Sequence, residues 1–318
     1  MGSRNDQKRT GAVLLAVGGV ILFSAKAVFV KLAYRYEVDT VTLLLIRMMI
    51  ALPVYLAIVL VSMRKWRKKY SFKPFYLPVI VLLGMGGYYF ASYLDFTGLK
   101  YVSASLERLL LFVYPTIVVI LTAIVNRRAV PEKQAIAILI TYFGIFLVFF
   151  QNIFIGDRTN VIIGGMLIMS CALVYACYMV GFEKLMAKTG AMPLTCYTLI
   201  IASLAVLGHY SVSDQSALGT IRPEVLWIGG AMAVVSTILP AFMIAEAINR
   251  LGASHVAIIG SIGPISTILL AAIFLGERIT AFQGLGAIVV ISGVMLVNTD
   301  SQKILSKRKK EKELRKAA

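Results

Sequence analysis

Apolar tracts of 18 to 23 residues, separated by short clusters of charge, constrain this chain more than any other feature. Wound as an α-helix at about 1.5 Å per residue, such a tract matches the ~30 Å hydrocarbon core of a bilayer. Hydrophobic side chains make up 59% of the 318 residues and charged ones only 15%. A soluble globule of this length has no interior for so many apolar groups. The tracts fall at 11–33, 41–62, 76–98, 101–125, 134–150, 161–182, 194–210, 225–247, 251–275 and 281–298. The expected fold is therefore an all-α polytopic membrane protein of ten transmembrane helices. Ten spans of ~20 residues use roughly 200 positions. No sizeable soluble domain fits in the rest, which excludes a motor or catalytic domain outside the bilayer.

The formal net charge of +17 would suggest nucleic acid in a soluble chain. Its distribution points elsewhere. If the N-terminus is cytoplasmic, 23 of the 32 Lys and Arg residues fall in cytoplasmic segments, six outside and three (Lys26, Arg47, Arg108) within spans. That bias predicts a multi-pass protein of the cell (inner) membrane with both termini in the cytoplasm, and no nucleic-acid partner. The basic tail from Lys303 to Lys316 reads as topogenic and solvated. The first apolar tract follows Lys8 and Arg9, runs a full span and lacks a small-residue cleavage site, so it reads as a retained helix. Cys171, Cys177 and Cys196 all fall within predicted spans and read as packing residues, with no metal site.

An offset of 149 residues aligns 96–151 with 245–300 without a gap. Matched identities include Ala104-Ser105 with Ala253-Ser254, Pro115 with Pro264, Gln134 with Gln283, Gly144 with Gly293, and Leu147-Val148 with Leu296-Val297. Five spans per half is an odd number, so the second half crosses in the opposite sense. Two inverted five-helix repeats, 11–151 and 161–300, are expected between a cytoplasmic tail at 1–10 and a basic tail at 301–318. This is the architecture of a secondary transporter with its site at the repeat interface.

The tract GSIGPISTILLAAIFLGERITAFQGLGAIVVISGVMLV (260–297) resembles the signature of the EamA family in the drug/metabolite transporter superfamily. A weaker echo occupies 101–148, and the first two spans, FSAKAVFVKLAYR and LLLIRMMIALP, extend the resemblance over nearly the whole chain. The resemblance implies a ten-helix bundle around a central cavity that exports small metabolites such as amino acids. One departure is visible: Gly276-Glu277 aligns with Arg127-Arg128, so only the second half carries that glutamate.

An ionisable group near the centre of a membrane helix costs at least ~2.5–3.5 kcal/mol, so each one needs a partner or a wet cavity. Lys26, Arg47, Asp95, Glu107 and Arg108 place three cations and two anions in one half of the membrane, with Asp95 the shallowest. They are candidates for binding a substrate carboxylate, Lys26 and Arg47 foremost. The competing reading is that Arg47 or Arg108 pairs with Glu107 or Asp95 to lock helices together. Tyr89, Tyr93 and Tyr114 are candidate cavity aromatics. Pro115 and Pro264, at matched depth, are candidate hinges because each frees a backbone carbonyl. Glu246, His255 and Glu277 are candidates for gating or coupling, Glu277 as a capping or gating pair with Arg278.

The function expected from these features is export of a small metabolite, an amino acid or other small carboxylate, by alternating access. The expected partners are that small molecule and the lipid bilayer. Coupling to protons or a counter-substrate, and the oligomeric state, stay open. Efflux of lipophilic cations is the alternative within transport; the buried positive excess weighs against it. An intramembrane lipid-modifying enzyme is the alternative outside it, and two histidines, no HExxH, no P-loop and no close Asp pair argue against an enzyme or a bound cofactor.

Overall fold

The computed structural model describes all residues except 1, 71–73, 128, 156, 214–220, 252–255, 257–258 and 297–318. Eight helices are long and apolar enough to cross a bilayer: α1 Thr10–Tyr34, α2 Thr40–Trp66, α3 Pro74–Gly98, α4 Ala104–Val125, α5 Glu132–Gln151, α6 Arg158–Met186, α7 Ala191–Val212 and α8 Pro223–Ile244. Two shorter apolar helices follow, α9 Ile262–Leu275 and α10 Ala281–Leu296. The described residues contain no strand. The molecule is an all-α polytopic membrane protein. Leu60, Leu82, Trp227 and Ile273 are each more than 70% exposed, an apolar outer surface suited to lipid. Helical backbone reaches back to Gly2, so residues expected as a tail continue α1.

Helix starts are set by short polar side chains that occupy otherwise unpaired amides. Asp39 accepts from the amides of Val41 and Thr42 ahead of α2, Ser103 from Leu106 in α4, and Asp157 from Thr159 and Asn160 in α6. Gly276 ends α9 in the left-handed region at φ 70°, a conformation that costs glycine least.

The repeat visible in the sequence is also a repeat of distortions. α4 breaks at Phe112 and Val113, where Pro115 cannot donate to the carbonyl of Leu111. The chain before α9 breaks at Ser261, the residue aligned with Phe112 at offset 149 and three before Pro264. Residues Gly84–Phe90 of α3 form a π-helix, and so do Val234–Ile238 at the matching place in α8.

Packing of α5 on α10 is reciprocal. A Cβ on Gly144 would strike Val289 and the backbone of Val290, and one on Gly293 would strike Thr141, the residue aligned with Val290. A Cβ on Gly286 would meet the carbonyl of Gly144, and one on Gly293 the carbonyl of Ala137, which aligns with Gly286. Positions rising along α5 meet positions falling along α10, so the helices are antiparallel and related by a two-fold axis perpendicular to both. This is how an inverted repeat packs. Gly84 and Gly87 admit Thr198, Ile201 and Tyr178 of neighbouring helices, whereas Gly86 and Gly284 face open space and play no packing role.

Candidate functional site

Lys26, Arg47, Asp95, Glu107 and Arg108 are the only acidic or basic side chains buried by the bundle among the described residues. Four of them share one cluster. α1 breaks at Ala25, just before Lys26, where Ser24 meets α9: its hydroxyl lies 2.7 Å from the Val20 carbonyl of its own helix and 3.2 Å from the Gly263 carbonyl, and its carbonyl accepts from Thr267 at 3.1 Å. Lys26 then ion-pairs with Asp95 of α3, and its ammonium lies 3.8 Å from Glu107 of α4. Asp95, expected to be the shallowest of the group, is only 1% exposed, because it is drawn against Lys26. Neither oxygen of Glu107 has a hydrogen-bond donor in reach. Arg108 rests its guanidinium 5.8 Å from the ring centre of Phe23, in space that only the missing side chain of Gly263 leaves open. The pairing expected of Arg47 or Arg108 with an acid is replaced by pairing of Lys26 with both carboxylates.

Arg47 stands apart. Its Nε donates to Thr237 Oγ1 in the π-helix of α8 at 2.8 Å, and its guanidinium lies 5.5 Å from the ring centre of Phe96. It is 3% exposed, makes no ion pair with a described residue, and its Nη1 has no acceptor. Tyr55 of the same helix is also buried, and its hydroxyl also lacks a partner. Thr237 escaped the sequence reading because a single hydroxyl in an apolar span carries no signal of its own.

A cavity of about 580 Å³ opens at the far end of the bundle, the end reached by Tyr34, Thr40 and Gly98. It is lined by Lys31, Arg35, Lys100, Glu37 and Glu277, with Tyr34 and Leu99. Its floor is tied down: Lys31 donates to the carbonyls of Leu99 and Val102, and Tyr34 to the carbonyl of Phe96 at 2.8 Å. Glu277 does not pair with Arg278 as expected. It crosses between halves and accepts from the amides of Ala104 and Ser105 at 2.8 and 3.1 Å, and from the Ser105 hydroxyl at 2.6 Å. A carboxylate suits this position because the first amides of α4 lack carbonyl partners and carry the positive end of the helix dipole.

The remaining candidates lie elsewhere. Tyr89 and Tyr93 both pack edge-on against His209 of α7, with the Tyr89 hydroxyl 3.0 Å from Nδ1. Tyr114 packs edge-on against Tyr175. Glu246 accepts from Arg250 at 2.7 Å on an exposed stretch, one turn apart, so it offers no buried coupling group. His255 lies outside the described residues. Cys171 and Cys196 are buried as expected of packing residues, but Cys177 is exposed.

An all-helical membrane bundle whose α5 and α10 pack reciprocally, with charge buried inside it, has the build of a membrane transporter. The model of the EamA-like transporter family matches residues 10–150 and 162–299, and the chain belongs to that family. It is 30% identical over 307 residues to the uncharacterized transporter YcbK of Bacillus subtilis (strain 168), covering 93% of this chain and 94% of that one. An uncharacterized transporter of Archaeoglobus fulgidus is 23% identical, covering 89% of this chain and 96% of its own length. A chain of known crystal structure shares the fold at a TM-score of 0.62 and 16% identity, covering 93% of this chain and 99% of that one.

Proposed function

We propose that this membrane transporter is a secondary carrier that exports a small metabolite, an amino acid or other small carboxylate, by alternating access. The observation that carries the reading is Arg47: a buried cation with no acidic partner among the described residues, hydrogen-bonded across the two halves to a neutral hydroxyl. An uncompensated charge in a low-dielectric interior costs several kcal/mol, and an anionic cargo offsets it each time it binds. The cargo site lies where the halves meet, as inverted-repeat carriers require. In this reading the excess of basic residues holds both termini in the cytoplasm, so the far-end cavity faces outward. With no nucleotide-binding motif in the sequence, the driving force is an ion gradient, exchange, or the cargo's own gradient.

Efflux of lipophilic cations is the second reading, and it draws on Glu107, whose buried carboxylate oxygens lack donors. Lys26 at 3.8 Å supplies its countercharge, which weakens that case. The deciding experiment is uptake of a pooled metabolite mixture into inside-out vesicles, with and without a pH gradient, for wild type and Arg47→Ala. Uptake of carboxylates that depends on Arg47 supports the carrier. Uptake of cations that survives Arg47→Ala and fails in Glu107→Gln overturns it.

A further inference from the structure

The charge inventory of the buried core narrows the cargo further, on the reading that the chain is a carrier with its site at Arg47. The buried acidic and basic groups among the described residues are three cations and two acids, so with both acids ionised the excess is one positive charge, and Arg47 is the cation held only by a neutral hydroxyl. Lys26 ion-pairs with both acids, whereas neither Arg47 nor Arg108 makes an ion pair with a described residue. We infer that the cargo is a small monocarboxylate carrying no ammonium group: one negative charge brings the buried core to neutrality. A zwitterionic amino acid leaves the positive charge uncompensated, and a dicarboxylate overshoots to a negative one. Either remainder carries the cost of a lone charge in a membrane interior.

The donors around Arg47 fit the same cargo. Nη1 has no acceptor, and the Tyr55 hydroxyl, two turns along the same helix, has no partner. Thr237 holds Arg47 by a hydrogen bond to a neutral hydroxyl, which a carboxylate replaces with a stronger, charge-assisted one. Lys26 offers no such opening, because a cargo would have to displace Asp95 from an ion pair. The approach favours anions too. Three cations line the far-end cavity against two acids, and Glu277 already spends its carboxylate on three donors of α4. Tyr34 and Phe96 lie between the cavity and Arg47: Tyr34 lines the cavity and binds the Phe96 carbonyl, and the Phe96 ring faces the guanidinium.

The test uses the full chain in proteoliposomes and three radiolabelled three-carbon cargoes of matched size: lactate with one negative charge, alanine with none, and malonate with two. Saturable lactate uptake at least tenfold faster than alanine or malonate is expected, lost in Arg47→Gln. Tyr55→Phe, which keeps the ring, is expected to raise the lactate KM several-fold. The wild-type ranking needs no variant, so it stands even if Arg47→Gln fails to fold. Alanine moving as fast as lactate, with the same dependence on Arg47, overturns the monoanion inference and leaves the carrier reading in place. A preference for malonate overturns it as well, and points to an added proton on Glu107 or Asp95. If none of the three moves and the pooled mixture also fails to exceed empty liposomes, the carrier reading falls with it.

Discussion

At the scale of single residues, the stabilising role of Lys26 exceeds that of either acid it holds. Removing Lys26 strands Asp95 and Glu107 together, whereas removing Asp95 leaves Lys26 with Glu107 3.8 Å away. Breaking a buried pair by deleting one partner costs about 3–5 kcal/mol. Lys26→Met is therefore expected to lower the melting temperature in detergent by several degrees more than Asp95→Asn, measured by fluorescence-detected unfolding. Equal stability of Lys26→Met and wild type would refute the pairing. The five buried ionisable groups were legible in the sequence, because charge is so costly in an apolar span that each instance stands out. Their partners were not. Lys26 and Asp95 are 69 positions apart, Arg47 and Thr237 190 apart, and nothing local distinguishes the hydroxyl of Thr237 from the other threonines of the spans.

At the scale of elements, Glu277 fastens the end of α9 to the start of α4 with three hydrogen bonds at the rim of the far-end cavity. Opening that end has to release them. Ala104 is wholly buried there, so a cysteine in its place reports the release. In a chain whose three native cysteines are replaced by serine, Ala104→Cys is expected to react slowly with a membrane-impermeant maleimide. Adding Glu277→Ala is expected to raise that rate several-fold, and an unchanged rate would show that the contact holds nothing shut. Helix positions were readable because each apolar tract had to be one span long. The capping partner of Glu277 was unreadable because it belongs to the other half, more than 170 residues away. Arg278, the neighbour in sequence, was the wrong guide. The π-helices had no sequence signature beyond the glycines of α3, which also serve close packing.

At the scale of the whole molecule, the two-fold relation between α5 and α10 rests on glycines that leave no space for a side chain. Gly293→Ala is expected to cost about 1–3 kcal/mol through overpacking, because its Cβ would meet the backbone of Thr141 and Ala137. Gly284→Ala, on the same helix but with nothing within 4 Å, is the control and is expected to be neutral or slightly stabilising. Thermal unfolding of the two variants side by side makes the comparison, and equal melting temperatures would contradict the packing. The repeat itself was visible as spaced identities, but its reciprocal contacts emerge only when both halves are folded. The symmetry stops at the charges: among the described residues all five buried acidic and basic side chains belong to the first half, and the second contributes a hydroxyl.

That hydroxyl sits on one of the two π-helices, which have a mechanical meaning. A π turn holds one residue more than an α turn, and the surplus can be handed along the helix one step at a time. Each step turns the residue that the surplus passes by about 100° around the helix axis and shifts it by about 1.5 Å, while the segments on either side keep their places. Thr237 lies inside such a turn in α8, and Tyr88 and Tyr89 lie inside its counterpart in α3. The group that holds Arg47 is thus mounted on a turn that can re-aim it, with a second such turn at the matching place in the other half.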